Sequence, residues 1–203
     1  MIENATETIR QNINPVNFFL ARKFCEKIAS WSKKLGIKSH LDFGCGDGKF
    51  TSYMANMLPE VSFVGYDTSN ELIEGARKSQ SSNLMFISSL NGDIYDSASC
   101  SFVLHETDAE KAFREVNSVL KKDGILMVLD YNLTKVTQEE FCRKFGCQRE
   151  QREIQRLGIE RAYRIHTKTG IDDFIKLAEN SGFQIEVARA FNNGYFAFVG
   201  SKQ

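Results

Sequence analysis

Proline is almost absent from this chain: Pro15 and Pro59 are the only two among 203 residues. Regular elements can therefore follow one another with few forced breaks, and a proline-rich linker is excluded. Net charge is absent too, because 26 Lys and Arg balance 26 Asp and Glu. Without a global basic field nothing draws nucleic acid or anionic lipid to the chain, so neither is expected as a partner. No apolar run approaches a membrane span, and the polar start Met1-Ile2-Glu3-Asn4-Ala5-Thr6-Glu7 lacks the pattern of a secretory signal. The expectation is a cytoplasmic protein. Its cysteines (Cys25, Cys45, Cys100, Cys142, Cys147) are odd in number and include no C-x-x-C pair, which argues for reduced thiols and against a disulfide framework or a metal site. Repeats and low-complexity segments are missing as well.

What is present is an alternation of apolar runs with helical patterns, the mark of a sheet with helical crossovers. The length suits a single domain spanning 1–203. Phe19, Leu20, Phe24, Ile28 and Trp31 stand at helical spacing in an N-terminal helical flank, residues 1–36. Leu41 to Phe43 ends a first strand, and a glycine turn leads into a helix with Phe50, Met54, Met57 and Leu58 on its apolar face. Val61 to Tyr66, Leu84 to Ile87 and Ser97 to Phe102 read as further strands, the last one diluted by serines. Thr68 with Glu71, and Thr107 with Glu110, have the spacing of capping boxes, and Asp123-Gly124 reads as a helix stop. Ile125 to Leu129 is apolar throughout, as a strand covered on both faces must be.

Residues from about 134 to 168 are polar and helix-compatible, with Arg143, Lys144, Arg149, Arg152, Arg156, Arg161 and Arg164 partly balanced by five glutamates. They read as an inserted helical segment, either a solvated salt-bridged face or a grip for an acidic substrate. Thr169 is positioned to cap a helix carrying Ile171, Phe174, Ile175 and Ala178 on its buried face. Two final strand-like runs, Gln184 to Phe191 and Tyr195 to Val199, flank Asn192-Asn193-Gly194, a strong signal for an antiparallel hairpin.

Chemistry concentrates in Leu41-Asp42-Phe43-Gly44-Cys45-Gly46-Asp47-Gly48. Glycines between strand and helix let backbone approach a ligand, and the helix N-terminus offers free amides. Asp67, closing the second strand, stands where a carboxylate can accept from both hydroxyls of a ribose. Two details separate the possible ligands. The third glycine comes one residue early for the dinucleotide fingerprint, with Lys49 in its place, and Asp42 would repel a pyrophosphate while suiting an ammonium and a sulfonium. A nicotinamide-dependent oxidoreductase is the competing reading.

LDFGCGDGKF resembles the first motif of class I S-adenosylmethionine-dependent methyltransferases, and FVGYDTS resembles their second. YDSASCSFVLHETDAEKAFREVNSVLKKDGILMVLDYN is similar to the same family's fourth strand, helix and fifth strand, in its small-molecule, type 11-like branch. The resemblance implies an α/β fold: a Rossmann-like, seven-stranded, mostly parallel sheet with helices on both faces and a C-terminal antiparallel hairpin. It also implies S-adenosyl-L-methionine as methyl donor, with S-adenosyl-L-homocysteine as product. Asp42, Gly44, Cys45 and Gly46 would line the methionine half, Asp67 the ribose and Thr68 the adenine, with Ser101 near the methionine portion. Where the family often has an adenine-binding Asp, this chain has Ser88-Ser89-Leu90, and Ser89 is the substitute.

Transfer of a methyl group from a sulfonium is an in-line displacement that positioning can accelerate. His105 is the candidate base or substrate-orienting residue, set against a purely structural role, with Tyr131, Arg164 and His166 behind it. Phe18, Phe19 and Trp31 would cover a substrate pocket if the flank folds over the sheet. After the fourth strand stands Ser101-Phe102-Val103-Leu104, with neither the Pro-Pro-aromatic tetrapeptide nor the Pro-Cys pair of enzymes that methylate nucleobases. The expected substrate is a small molecule methylated on O, N or S. A macromolecular acceptor, or a cofactor-binding module without turnover that acts through a partner, stays open, and oligomeric state cannot be read from these residues.

Overall fold

The computed structural model describes residues 15–144, 154–191 and 194–203, the side chains of 15–21, 24, 32 and 144 excepted. The side chains of Phe18, Phe19, Leu20 and Phe24, and Arg149, Arg152, Asn192 and Asn193, thus lie outside the described residues. In chain order the elements are α1 (Pro15–Leu35), β1 (Ser39–Phe43), α2 (Lys49–Met57), β2 (Ser62–Tyr66), α3 (Asn70–Ala76), β3 (Leu84–Ile87) and β4 (Tyr95–Ser101). There follow α4 (Ala109–Val119), β5 (Leu120–Tyr131), α5 (Gln138–Lys144), α6 (Ile159–His166), α7 (Ile171–Asn180), β6 (Phe183–Ala190) and β7 (Tyr195–Lys202). The strands form one seven-stranded sheet in the order β3-β2-β1-β4-β5-β7-β6. β1 pairs parallel with β2 and β2 with β3, whereas β7 pairs antiparallel with both β5 and β6. The expected mixed sheet with its terminal hairpin is therefore present.

The chain falls into two compact units, Met1–Ser99 with Val119–Gly124 and Cys100–Ser118 with Ile125–Gln203. In the first, Leu41, Met54, Val61, Phe63 and Ile73 are fully buried around β1 and β2. The buried face of α2 is Thr51, Tyr53, Met54 and Ala55, while Met57, expected inside, is 47% exposed. In the second, rings do the filling: Phe113 packs edge-on against Phe174 and Phe183 at 5.2 and 5.1 Å, and Phe174 meets Phe198 at 4.7 Å. Edge-to-face pairs at these distances contribute beyond the area they bury. Leu126, Met127 and Val128 are sealed from solvent, as their unbroken apolar run requires.

Helix starts fall one residue beyond each threonine read as a cap. Ser69 accepts from Leu72 N at 3.4 Å, Asp108 accepts from Lys111 N at 3.0 Å, and Gly170 N donates to Asp173 at 3.2 Å. Ser and Asp outrank Thr at the cap position and Gly equals it, so the neighbour takes the role each time. α4 also stops at Val119, short of Asp123-Gly124. Burial of Leu120 and the 2.6 Å bond from Lys121 Nζ to Asp96 hold the chain extended there, and Asp123, with φ 61°, turns it within β5.

A single ring explains the early third glycine. A Cβ on Gly48, whose φ is +73°, would lie 2.6 Å from the Phe86 ring and 2.8 Å from Ala76, and a Cβ on Gly65 would lie 2.5 Å from the same ring. Phe86, itself buried, is wedged between two bare backbones. At Gly46 φ is +56° but nothing stands within 4 Å of a Cβ. Gly48→Ala is expected to cost about 3 kcal/mol or more, strain and clash together, against about 1 kcal/mol for Gly46→Ala, where only strain acts. Chemical denaturation of the two variants measures the difference.

Candidate functional site

The first unit holds a turn fastened to the end of β2. Gly44 (φ 77°) and Cys45 both donate their backbone N–H to the Tyr66 carbonyl, at 2.7 and 2.9 Å. Gly46 N–H donates to Asp67 Oδ2 at 2.9 Å, and Ser69 N–H donates to Oδ1 at 2.9 Å. Asp67 is only partly buried, and its carboxylate, with room for about four donors, keeps accepting capacity. The open direction at Gly46 leaves backbone that a ligand can approach. Asp42, Gly44, Cys45, Gly46 and Asp67 are thus brought together. Thr68 and Ser89 lie on the exposed surface of the same unit.

Beneath the turn runs a polar chain that the sequence did not announce. Asp42, 2% exposed, accepts from Thr51 Oγ1 at 2.6 Å and from Ser99 Oγ at 2.9 Å. Ser99 also meets His40 Nε2 at 2.9 Å, and His40 Nδ1 meets Ser97 Oγ at 2.9 Å. Because Ser99 gives its proton to Asp42, it accepts from His40 Nε2, leaving Nδ1 to accept from Ser97. Burial drives His40 down to about 3, so the ring is neutral. Burial also lifts Asp42 to about 6, against the hydrogen bonds of Thr51 and Ser99, with the Asp67 charge adding to the rise. The serines that dilute β4 are therefore the partners of a buried imidazole and carboxylate. Cys45 is packed, not reactive: burial, then the charges of Asp42 and Asp67, push its thiol far above the ordinary range.

The second unit holds His105 in a separate arrangement. Its Nδ1 donates to Asp130 Oδ1 at 2.6 Å, and Asp130 is pinned by the backbone N–H groups of Leu104 at 2.8 Å, His105 at 3.3 Å and Tyr131 at 2.8 Å. Those three backbone donors fix the carboxylate in place. Burial presses His105 toward neutrality, but the charge and hydrogen bond of Asp130, with Glu106 beyond, outweigh it and raise the imidazole to about 9. At neutral pH the ring presents an N–H. His105 stands edge-on to Tyr131 at 4.7 Å and 4.8 Å from the His166 ring, which α6 supplies and whose Nδ1 donates to Ala162 O at 2.8 Å. Ser101 ends β4, its hydroxyl buried without a hydrogen-bond partner among the described residues. Phe102 follows with φ 58°, a strained value for a bulky residue, held by its N–H on Leu129 O at 2.8 Å and its ring against Tyr131 and Tyr195. Arg164 is exposed.

Known proteins resemble this chain at two levels. A family model described as a methyltransferase domain matches residues 8–187. The malonyl-[acyl-carrier protein] O-methyltransferase of Legionella pneumophila is 31% identical over 104 residues, 46% of this chain and 36% of that protein. A tRNA (guanine-N(7)-)-methyltransferase of Microcystis aeruginosa is 33% identical over 88 residues, 39% of this chain and 40% of that protein. The chain spans well under half the length of these curated relatives. The plantazolicin methyltransferase BpumL, solved with a pentazolic desmethylPZN analog and SAH, shares the fold, with a TM-score of 0.68 at 16% identity over 98% of this chain and 90% of that one.

Two outcomes follow from the electrostatics. His105 binds its proton more tightly folded than unfolded, so its contribution to stability is fully present below pH 6.5 and lost as pH rises through about 9. Unfolding titrations should show that decline, and Asp130→Asn should flatten it. Asp42 is also raised, so its ionisation opposes folding as pH climbs from 3.8 through about 6. Asp42→Asn should therefore melt no lower than the parent at pH 7.5, whereas a carboxylate required for stability would make it melt lower.

Proposed function

The chain belongs to the methyltransferase-domain family, whose methyl donor is S-adenosylmethionine, and from that premise we propose that it methylates a small molecule on oxygen. The observation that carries this reading is the turn at 42–48, bonded to Asp67 through Gly46 and open at Gly46 toward a ligand. Asp67 keeps lone pairs for the two ribose hydroxyls, and Gly44 and Gly46 let the backbone come close to the methionine portion. Asp42 places a buried negative charge beneath the turn, which favours a cationic ligand, while Cys45 fills space. Thr68 and Ser89 are assigned to the adenine end and Ser101 to the methionine end. When bound, S-adenosylmethionine supplies a methyl carbon activated by its sulfonium.

The small-molecule assignment draws on the zero net charge, and the oxygen assignment on the O-methyltransferase among the relatives. The tRNA methyltransferase relative keeps a nucleic-acid acceptor as the second reading. We take the chain as one domain acting in the cytoplasm. In support, the described cysteines are free thiols, and no helix among the described residues is long and apolar enough to cross a membrane.

Calorimetry should show S-adenosylmethionine binding to the full chain, weakened at least about 10-fold in Asp67→Asn. With labelled donor and a panel of small acids, phenols, amines and thiols, methyl is expected on an acid or a phenol and not on bulk tRNA. Methyl found in tRNA would replace the small-molecule reading, and no donor binding would remove the proposal.

A further inference from the structure

Residues 101–107, between β4 and α4, gather three buried polar atoms that have no hydrogen-bond partner among the described residues: Ser101 Oγ, His105 Nε2 and Thr107 Oγ1. Folded proteins leave few such groups, and each asks for a ligand or an ordered water. His105 is the most constrained, with 3% of its surface exposed. Its Nδ1 is committed to Asp130, whose carboxylate is fixed by three backbone N–H groups, so Nε2 is the atom left to act. Carboxylates face both ring nitrogens, Asp130 at Nδ1 and Glu106 3.4 Å from Nε2, an arrangement that favours a proton on each, and the Nε2–H, with no well-aligned hydrogen bond, has room for a better-placed oxygen.

The structure indicates which kind of oxygen. Glu106 Oε1 stands 3.4 Å from His105 Nε2 as a long ion pair, and the Glu106 side chain is 39% exposed. A carboxylate already hovers at this nitrogen from outside. An incoming one could seat itself at hydrogen-bonding distance by displacing the glutamate into solvent, and the serine and threonine hydroxyls on the same segment can donate as well.

We propose that the segment 101–107 binds the methyl acceptor and selects a carboxylate, received on the Nε2–H of His105, so that the product is a methyl ester. This rests on the reading of the chain as a small-molecule methyltransferase. The carboxylate oxygen forms a bond to the methyl carbon as the carbon–sulfur bond breaks and its electron pair stays on sulfur. An anion and a sulfonium become a neutral ester and a neutral thioether. No proton has to leave, so a histidine that carries its proton is a fitting partner where a base would not be. His105 acts here as a positioning donor.

The test uses the full chain labelled with ¹⁵N-histidine at pH 7. The His105 Nε2–H resonance, assigned through its contact with the Tyr131 ring, is followed during separate additions of benzoate, phenol and benzylamine. Benzoate should shift it saturably, phenol and benzylamine should not, and Glu106→Gln, lacking the competing carboxylate, should bind benzoate at least about 3-fold tighter. No response to benzoate, or a response to phenol or benzylamine instead, overturns the assignment. The same sample is titrated with S-adenosylmethionine. If the donor fails to bind, the methyltransferase reading falls; if the donor binds and benzoate does not, the carboxylate assignment falls alone. Any methylated product must release its label as methanol in alkali, and an alkali-stable methyl group also refutes the inference.

Discussion

A carboxylate sealed from water directly under a glycine turn is an expensive thing for a fold to keep, and much of the first unit is arranged around that of Asp42. Its two oxygens are met by Thr51 from the helix after the turn and by Ser99 from β4. Ser99 is itself oriented by His40, and His40 by Ser97. Four polar side chains on three elements thus fix one negative charge in a low-dielectric setting, where its field on a nearby cation is screened far less than at a surface. The charge is nonetheless held only loosely in its ionised form, because burial pulls the group up to about 6. A ligand bearing positive charge would settle it. That coupling gives a buried acid, otherwise a burden on folding, a reason to exist.

The second unit solves an opposite problem with similar means. There an imidazole, not a carboxylate, is buried with its charge, and Asp130 with its backbone donors makes that tolerable. One unit offers negative charge beneath an open turn; the other offers a positive N–H on a strained segment. On the proposed reading, the first would suit a sulfonium and the second an oxyanion.

Much of this fold was readable because its signals are local. The apolar run 125–129, the Asn-Gly hairpin and the glycine turn each depend on neighbouring residues, and the strand at 125–129, the antiparallel pair β6-β7 and the glycine turn are found. Helix starts were displaced by one residue, since Ser69, Asp108 and Gly170 compete with the threonines beside them for the same cap. The glycine turn that attaches to Asp67 was legible for the same reason as the strands. The network beneath it was not, because His40, Thr51, Ser97 and Ser99 meet only after the sheet has formed. The one trace available was the run of serines in β4, which reads as weak strand character until His40 and Asp42 are seen facing it. His105 was legible as a residue of interest, but its protonation is decided by Asp130, 25 positions away along the chain.

Phe86 leaves a mark that extends past this molecule. Its ring occupies the space where side chains at 48 and 65 would be, so the sizes of three positions far apart in sequence are set by one volume. Drift at any one of them is confined by the other two: a methyl group gained at 48 or 65 is tolerated only alongside a smaller residue at 86. In a lineage sharing this turn the three positions should change together or not at all. The glycine pattern that looks like a ligand signature is, at its third glycine, a record of how a neighbouring strand is packed.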